Sequence, residues 1–524
     1  MTRRAFVRLA LVLVGLLASG TARTEAASTP VRSNDVRVAL VWIFGDDDAL
    51  NPPNESSPPS PAASIGDRPG YDPVVSGYRT RYTGRENRLE LRLRGAARDF
   101  VPALTTAAEL ALGIDARSLG QRGSDGGDAA LRVEDVGSFV ELGLSLSGRR
   151  ASRAPTGDAA TEPCLALRLY PIDGDLERVG WLEALGWGGA VGPHRESPYA
   201  TAAGPVRAAR LTVDVTRMTL FAGLKTATFV EPVPNAPAVA ETSYGFFVGG
   251  EARPSELLHL GIAGGYFEHG RLAGAAARAT TAGASARLSI RRGMDEPRSP
   301  VTFLGQGDDP FQSTKDASPG AFALGVEAAG LVQRLGDFDR PGQTTLEPAR
   351  ALAAFGGARL GPFETSLALL LRDPEFVMRN ALGVFAGLSV PAAAQREAER
   401  VVLVSNGLIV SERFRADLAL ALRFPAAIMT GALDRQGQLT GATLVVNGPG
   451  DVTLLPVGSA PVPILDARAA VEARLSSLLS SVLWAQYRRD YNRIRLVAGD
   501  GELAVRGFVD PDRFGYGIAA RAVW

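Results

Sequence analysis

Residues 412–424 read ERFRADLALALRF. Every second side chain, Phe414, Ala416, Leu418, Leu420, Leu422 and Phe424, is apolar. The intervening set, Arg413, Arg415, Asp417, Ala419, Ala421 and Arg423, is charged or small. A strand has a side-chain period of two, so this segment presents one greasy face and one wet face. A helical period of 3.6 would scatter both sets around the axis. The two phenylalanines lie ten positions apart and bracket an aliphatic band.

The same alternation spreads outward through the chain. Leu89, Leu91 and Leu93 oppose Arg88, Glu90, Arg92 and Arg94; Val140, Leu142 and Leu144 oppose Glu141, Gly143 and Ser145. Runs follow around Leu165–Tyr170, Leu211–Val215, Met218–Leu224, Tyr244–Val248, Leu258–Tyr266, Ala284–Ile290, Phe322–Ala328, Arg350–Leu360 and Phe363–Arg372. Strands are also expected at Val179–Trp187, where Trp181 and Trp187 would lie about 20 Å apart along one face, close to the spacing of two interfacial aromatic belts, and at Phe376–Val390. Residues 466–486 are compositionally ambiguous between helix and strand, the second half being read as a strand that runs on to Val497. A turn at Gly499–Gly501 and a strand through Val505 come next, and Asp510-Pro511-Asp512 is read as a short turn. Segments such as 51–64 (NPPNESSPPSPAAS), 120–128 and 293–319 lack periodicity and are read as loops.

The chain closes on FGYGIAARAVW, in which Phe514, Tyr516, Ile518, Ala520, Ala522 and Trp524 form one apolar face. This segment resembles the closing strand of Gram-negative outer-membrane β-barrels, which end on Phe or Trp. The resemblance covers most of the chain in pattern. It implies an all-β, antiparallel up-and-down transmembrane barrel with long outer loops and short periplasmic turns, and a porin-like protein. It also implies that Phe514, Tyr516, Ile518 and Trp524 serve as an assembly signal, with the barrel assembly machinery, periplasmic chaperones and outer-membrane lipids as partners. The strand tally is roughly 16–20, in the range of barrels with an aqueous lumen. In hydrocarbon every backbone polar group must be paired internally, so spanning strands demand a closed sheet.

Residues 1–27 have the layout of a cleaved secretory signal, with Arg3 and Arg4 ahead of the apolar run ALVLVGLL. Residues 28–84 are expected to hold a first strand and a Pro/Ser-rich loop, and 85–524 the barrel. Formal net charge is +0 among 524 residues, which gives no global attraction to nucleic acid. The single cysteine, Cys164, excludes an internal disulfide and a Cys-based metal cluster. The triplet Asp46–Asp48 matches no calcium-loop spacing and is read as a solvated loop. None of the three histidines has a metal-ligand spacing, and no phosphate loop or nucleophile elbow occurs. No catalytic residue, cofactor or metal is therefore expected.

If the large apolar sets face lipid, Arg88, Arg92, Arg94, Arg413, Arg415, Asp417, Arg423, Arg506, Arg513 and Arg521 face the lumen. Rings of arginine favour anions, so one expectation is a passive diffusion channel for small hydrophilic solutes with a weak preference for anionic ones. The plainer expectation is that these arginines pair with acids and only keep the lumen hydrated. A different class altogether is a structural or interaction barrel whose loops bind an envelope partner.

Overall fold

The computed structural model describes residues 34–47, 85–101, 104–115, 132–135, 137–146, 164–172, 177–188, 206–231, 239–271, 278–293, 319–336, 343–378, 395–411, 413–430, 442–448, 451–456, 458–498, 504–508 and 511–524. The signal segment, the loops at 51–64 and 120–128, Asp48, the 293–319 insert beyond its ends, and 379–394 lie outside these residues.

One antiparallel sheet dominates. It begins with β1 (Asn34–Asp47), β2 (Arg85–Val101), β3 (Leu104–Asp115), β4 (Arg132–Asp135), β5 (Phe139–Ser145), β6 (Cys164–Tyr170), β7 (Arg207–Val215), β8 (Met218–Glu231) and β9 (Val239–Ala252). It continues through β10 (Leu258–Arg271), β11 (Arg278–Arg292), β12 (Phe322–Gly336), β13 (Thr344–Leu360) and β14 (Phe363–Arg372). After β15 (Gln395–Glu397), which lies elsewhere, come β16 (Glu399–Ser411) and β17 (Phe414–Phe424). Three strands outside this sheet follow: β18 (Ala426–Thr430), β19 (Ala442–Gly448) and β20 (Asp451–Leu454). The wall resumes with β21 (Ile464–Arg474) and β22 (Leu479–Arg489), and after β23 (Ile494–Ala498) and β24 (Ala504–Phe508) it ends with β25 (Asp512–Val523).

Consecutive wall strands pair in chain order, and β25 pairs with β1, so the sheet is closed. The sheet holds 19 strands, but β4 and β5 lie end to end against β3, which leaves 18 staves. Gly45 and Gly517 face each other across the seam, and the last residue completes it: the Trp524 N–H donates to Val38 O, and the Val38 N–H donates to Trp524 O. Thus Asn34–Asp47, set by sequence in the segment 28–84, is the first stave of the same cylinder.

The period-two pattern decides which face is which. Phe514 and Tyr516 are 65% and 62% exposed, on the outside, while Ala519 on the other parity is buried. On β17 Phe414, Leu418, Leu420, Leu422 and Phe424 are exposed, whereas Ala419, Ala421 and Arg423 are buried. Both phenylalanines face outward; ten residues of tilted strand separate them by roughly 25 Å along the barrel axis, the height of a lipid-facing band.

Several expected elements differ. Val179–Trp187 is not a stave: it is an inward-folded segment with a single 3-10 turn at Glu183–Leu185 and one bridge, Val179 to Trp187. Phe376–Val390 is not a strand either where it is described. There Pro374–Val377 forms a one-turn helix, α1, in which proline occupies the first turn, where its missing N–H costs nothing. Residues 466–486 are strand in both halves, divided by a turn at 475–478, and β22 stops at Arg489 rather than Val497. Strands β23 and β24 form their own two-stranded sheet outside the wall.

The connections segregate by end. The two-residue turns Thr216-Arg217 and Gly361-Pro362 lie at the end that holds Asn34 and Trp524. At the opposite end stand the strand ends that flank 48–84, 171–206, 373–398, 425–463 and 490–511. The expected turn at Asp510-Pro511-Asp512 is not one: Asp512 opens β25 at the long-loop end, Pro511 precedes it at the end of a long connection, and Asp510 lies outside the described residues. Conversely, 293–321 joins β11 to β12 at the short-turn end. At the long-loop end β15, β18, β19 and β20 make a separate four-stranded sheet against which α1 packs. Val445, Leu455 and Ile494 form a small core that ties this sheet to β23. Buried Asn492 staples the same region by donating from Nδ2 to Val462 O and accepting the Val462 N–H.

Candidate functional site

The inner wall is the candidate site, and its charged residues are mostly partnered. Arg92 and Arg94 on β2 are buried and both reach Glu109 on β3, at 3.1 and 2.9 Å. Arg415 holds Asp417 at 2.9 Å and Glu364 of β14 at 3.2 Å. Arg423 and Arg372 grip the buried Glu399 from two strands, at 2.6 and 2.5 Å. Arg168 pairs with Glu141, and Arg488 with Asp466. Such buried pairs persist because each charge has a partner; deleting one strands the other.

The remaining predicted lumen residues divide. Arg521 shares the inward parity of Ala519 on β25, and the side chain of Arg513 lies outside the described residues. Arg413 does not line the wall: it stands exposed in the turn between β16 and β17. Arg506 sits on β24, which is not a stave. The side chain of Arg88 lies outside the described residues. His259 faces inward on β10, where Arg291 Nε donates to its Nε2 at 2.9 Å.

What sequence patterning missed is the segment Glu177–Gly188, which folds from the β6–β7 connection against the inner wall. Glu327 of β12, fully buried, accepts the Trp181 and Leu182 N–H groups at 2.9 and 2.8 Å. Trp181 Nε1 donates to Glu251 on β9 at 2.8 Å, and Trp187 Nε1 donates to Ser285 on β11 at 3.0 Å. Lys225 on β8 donates to Gly188 O at 2.9 Å, and Arg372 on β14 donates to Ala184 O at 3.1 Å. Trp187 is 0% exposed and meets Phe267 of β10 edge to face at 5.6 Å.

Two features let this backbone lie so close to the wall. Gly180 and Gly188 have φ of +106° and +73°, a region that side chains rarely adopt. Gly261 on β10 leaves room for Trp181: a Cβ there would come within 2.4 Å of the indole. At the entry to the segment, Arg210 of β7 binds Glu177 at 3.0 Å. Burial alone would push the Glu177 carboxyl up, but Arg210, with Arg168 and Lys225 beyond it, outweighs burial and holds it below the usual carboxylate range. Trp181 and Trp187 are thus lumen anchors, not the two aromatic belts that their spacing suggested. The only sequence cue was local: Gly180 and Gly188-Gly189 flanking the stretch argue against a regular spanning strand.

A closed cylinder of 18 antiparallel staves, apolar outside and charged inside, is a structure that satisfies every ladder hydrogen bond within hydrocarbon. The chain folds as a transmembrane β-barrel. Among the described residues no helix is long and apolar enough to cross a membrane, and no group of His, Cys, Asp or Glu is arranged to hold a metal. No protein-family profile matches the chain, and no curated protein sequence does. Similar solved structures include OccK1 (OpdK) of Pseudomonas aeruginosa, at 11% identity and a TM-score of 0.44, covering 94% of this chain and 99% of that one. The outer membrane protein OprD of Pseudomonas aeruginosa aligns at 9% identity and a TM-score of 0.41, covering 94% of each chain. OccAB2 of Acinetobacter baumannii aligns at 8% identity and 0.44, covering 95% of this barrel and 99% of its own chain.

Proposed function

We propose that this outer-membrane barrel is a porin-like channel for passive diffusion of small hydrophilic solutes, narrowed by its own Glu177–Gly188 segment. Eighteen staves at a spacing of about 4.8 Å and a tilt near 40° enclose a cylinder roughly 35 Å across between backbones, wide enough for an aqueous path. The observation that carries the reading is the position of the inward segment. Among the described residues its polar anchors belong to β7, β8, β9, β11, β12 and β14, so it lines one side of the cylinder. The inward surfaces of β2, β17 and β21 carry their own arginine–carboxylate pairs. The barrel is read as a conduit, not a catalyst.

The pairing favours weak selectivity. Arg372 and Arg423 share one carboxylate, whereas Arg415 has two, so local excesses of opposite sign offset each other. A mild preference for anions would rest on Arg521 and the described arginines of β2, Arg92 and Arg94. Reversal potentials of purified protein in planar bilayers test this: near-zero or slightly anionic selectivity is expected, and clear cation preference overturns it. Liposome swelling with small sugars tests the channel itself. No swelling, together with capture of an envelope component through the long-loop end, would establish the interaction barrel, for which the folded body of β15, β18–β20, α1 and β23–β24 is the favouring observation. Cleavage of residues 1–27 and delivery by chaperones to the barrel assembly machinery, read from the Phe514–Trp524 strand, belong to the same proposal.

A further inference from the structure

The outer wall is apolar around most of its girth, yet three arginines point outward on three adjacent strands at the long-loop end. Arg278 on β11, Arg334 on β12 and Arg350 on β13 share the outward parity of Ala284, Gly330 and Leu352. The Arg350 side chain is 82% exposed and only loosely held by Asp373 at 3.7 Å. Arg278 is bound to Glu268 at 2.6 Å. Among the described residues that leaves three guanidinium groups facing two carboxylates at the edge of hydrocarbon. Tyr244 and Tyr266, both exposed, stand on the neighbouring β9 and β10 as an interfacial belt.

Register places these groups over a shallow trough. Below Arg334, past the Ala282–Val332 row, Ala284 lies opposite Gly330 and Ala286 opposite Ala328, and the exposed Leu288–Val326 row closes the trough below. The flanking strands raise ridges, with Ile262 65% and Leu352 47% exposed beside those rows. Arg350 lies opposite Gly330, at the trough's side. A Cβ added at Gly330 would meet nothing within 4 Å, so the trough opens outward.

We propose that Arg334 and Arg350, with Arg278, bind the phosphorylated headgroup of an outer-leaflet glycolipid whose acyl chain lies along the β11–β12 trough. Guanidinium groups suit phosphate because they donate paired, charge-assisted hydrogen bonds. The long-loop end of such a barrel faces outward, and the outer leaflet is the one whose headgroups these arginines reach. Sugar hydroxyls suit the exposed tyrosines beside them. The inference rests on the membrane assignment, which heat-modifiable migration of the outer-membrane fraction tests independently.

The test is native mass spectrometry of the full barrel in detergent, titrated with phosphorylated glycolipid, the same glycolipid after enzymatic dephosphorylation, and phosphatidylglycerol. Wild type is expected to retain the phosphorylated glycolipid at least tenfold better than Arg334→Ala/Arg350→Ala, and better than either other lipid. Gly330→Leu, which keeps every arginine and fills the trough, is expected to lower retention several-fold. Arg400→Ala, outward on β16 beside Phe424, is expected to leave retention unchanged. Migration on unboiled gels confirms that each variant is folded. Equal retention by the double arginine variant, undiminished binding of the dephosphorylated lipid, stronger retention of phosphatidylglycerol, or an equal loss in Arg400→Ala overturns the proposal.

Discussion

Glu327→Ala should release the inward segment without dismantling the wall. The carboxylate makes two of the segment's described anchors, through the Trp181 and Leu182 N–H groups at 2.9 and 2.8 Å. Hydrogen bonds to a charged acceptor contribute about 1.5–3 kcal/mol each, so the gross loss is roughly 3–6 kcal/mol. Removing a fully buried carboxylate relieves its desolvation, which offsets part of this. A net weakening of about 3 kcal/mol raises the detached population roughly 150-fold, since 1.4 kcal/mol is tenfold. Trp187 is fully buried while the segment is docked, so chymotryptic cleavage after Trp187 reports detachment when reclosing outpaces cutting. The reconstituted variant should be cut about two orders of magnitude faster than wild type, with a larger mean conductance in planar bilayers. Glu327→Gln, which retains an acceptor oxygen but no charge, should fall between them. Wild-type cleavage and conductance in Glu327→Ala would refute the idea that this carboxylate holds the segment.

Trp187→Ala removes both the Phe267 contact and the Ser285 hydrogen bond, and large-to-small changes of this kind cost about 3–5 kcal/mol; a matching rise in chymotryptic cutting within 177–188 (read after Trp181) is expected. The Glu177–Arg210 pair contributes stability that is present above the ordinary carboxylate range and lost as pH falls through the lowered Glu177 value. Acid should therefore loosen the segment only below the ordinary carboxylate range, and Glu177→Gln should show that looseness already at neutral pH, both read by bilayer noise. Deleting Trp524 removes the two backbone bonds with Val38; the fraction that migrates as folded barrel should fall, while the conductance of assembled channels stays unchanged. Normal assembly of that truncation would show that the terminal residue is dispensable to closure.

The wall was legible because lipid and water impose a period of two. Phe363–Arg372 and Glu412–Phe424 show it cleanly, and both are staves within a residue or two at either end. The lumen was not legible, because a segment folded inside a cylinder follows no period. Val179, Trp181, Leu185 and Trp187 bury themselves against Phe267 and Glu327, residues contributed by distant staves. Apolar content there was indistinguishable from a spanning strand with aromatics at its ends. Composition also misled at Phe376, whose buried ring belongs to a helical turn seated on β13 and the small outer sheet. Pairing partners such as Glu109 for Arg92 and Glu399 for Arg372 require the register, which sequence alone leaves open.

The Val38–Trp524 bonds also bear on how such a molecule comes to exist. They join positions 38 and 524, which are far apart in sequence. Bringing the ends of so long a chain together costs about 5 kcal/mol in loop-closure entropy, and that cost falls before any seam contact offsets it. Until then β1 and β25 are raw edges, open to strands of other molecules. Topologies dominated by such distant contacts fold slowly. How long those two edges stay open is therefore set by how soon Val38 and Trp524 meet, so the pair that fastens the seam also times it.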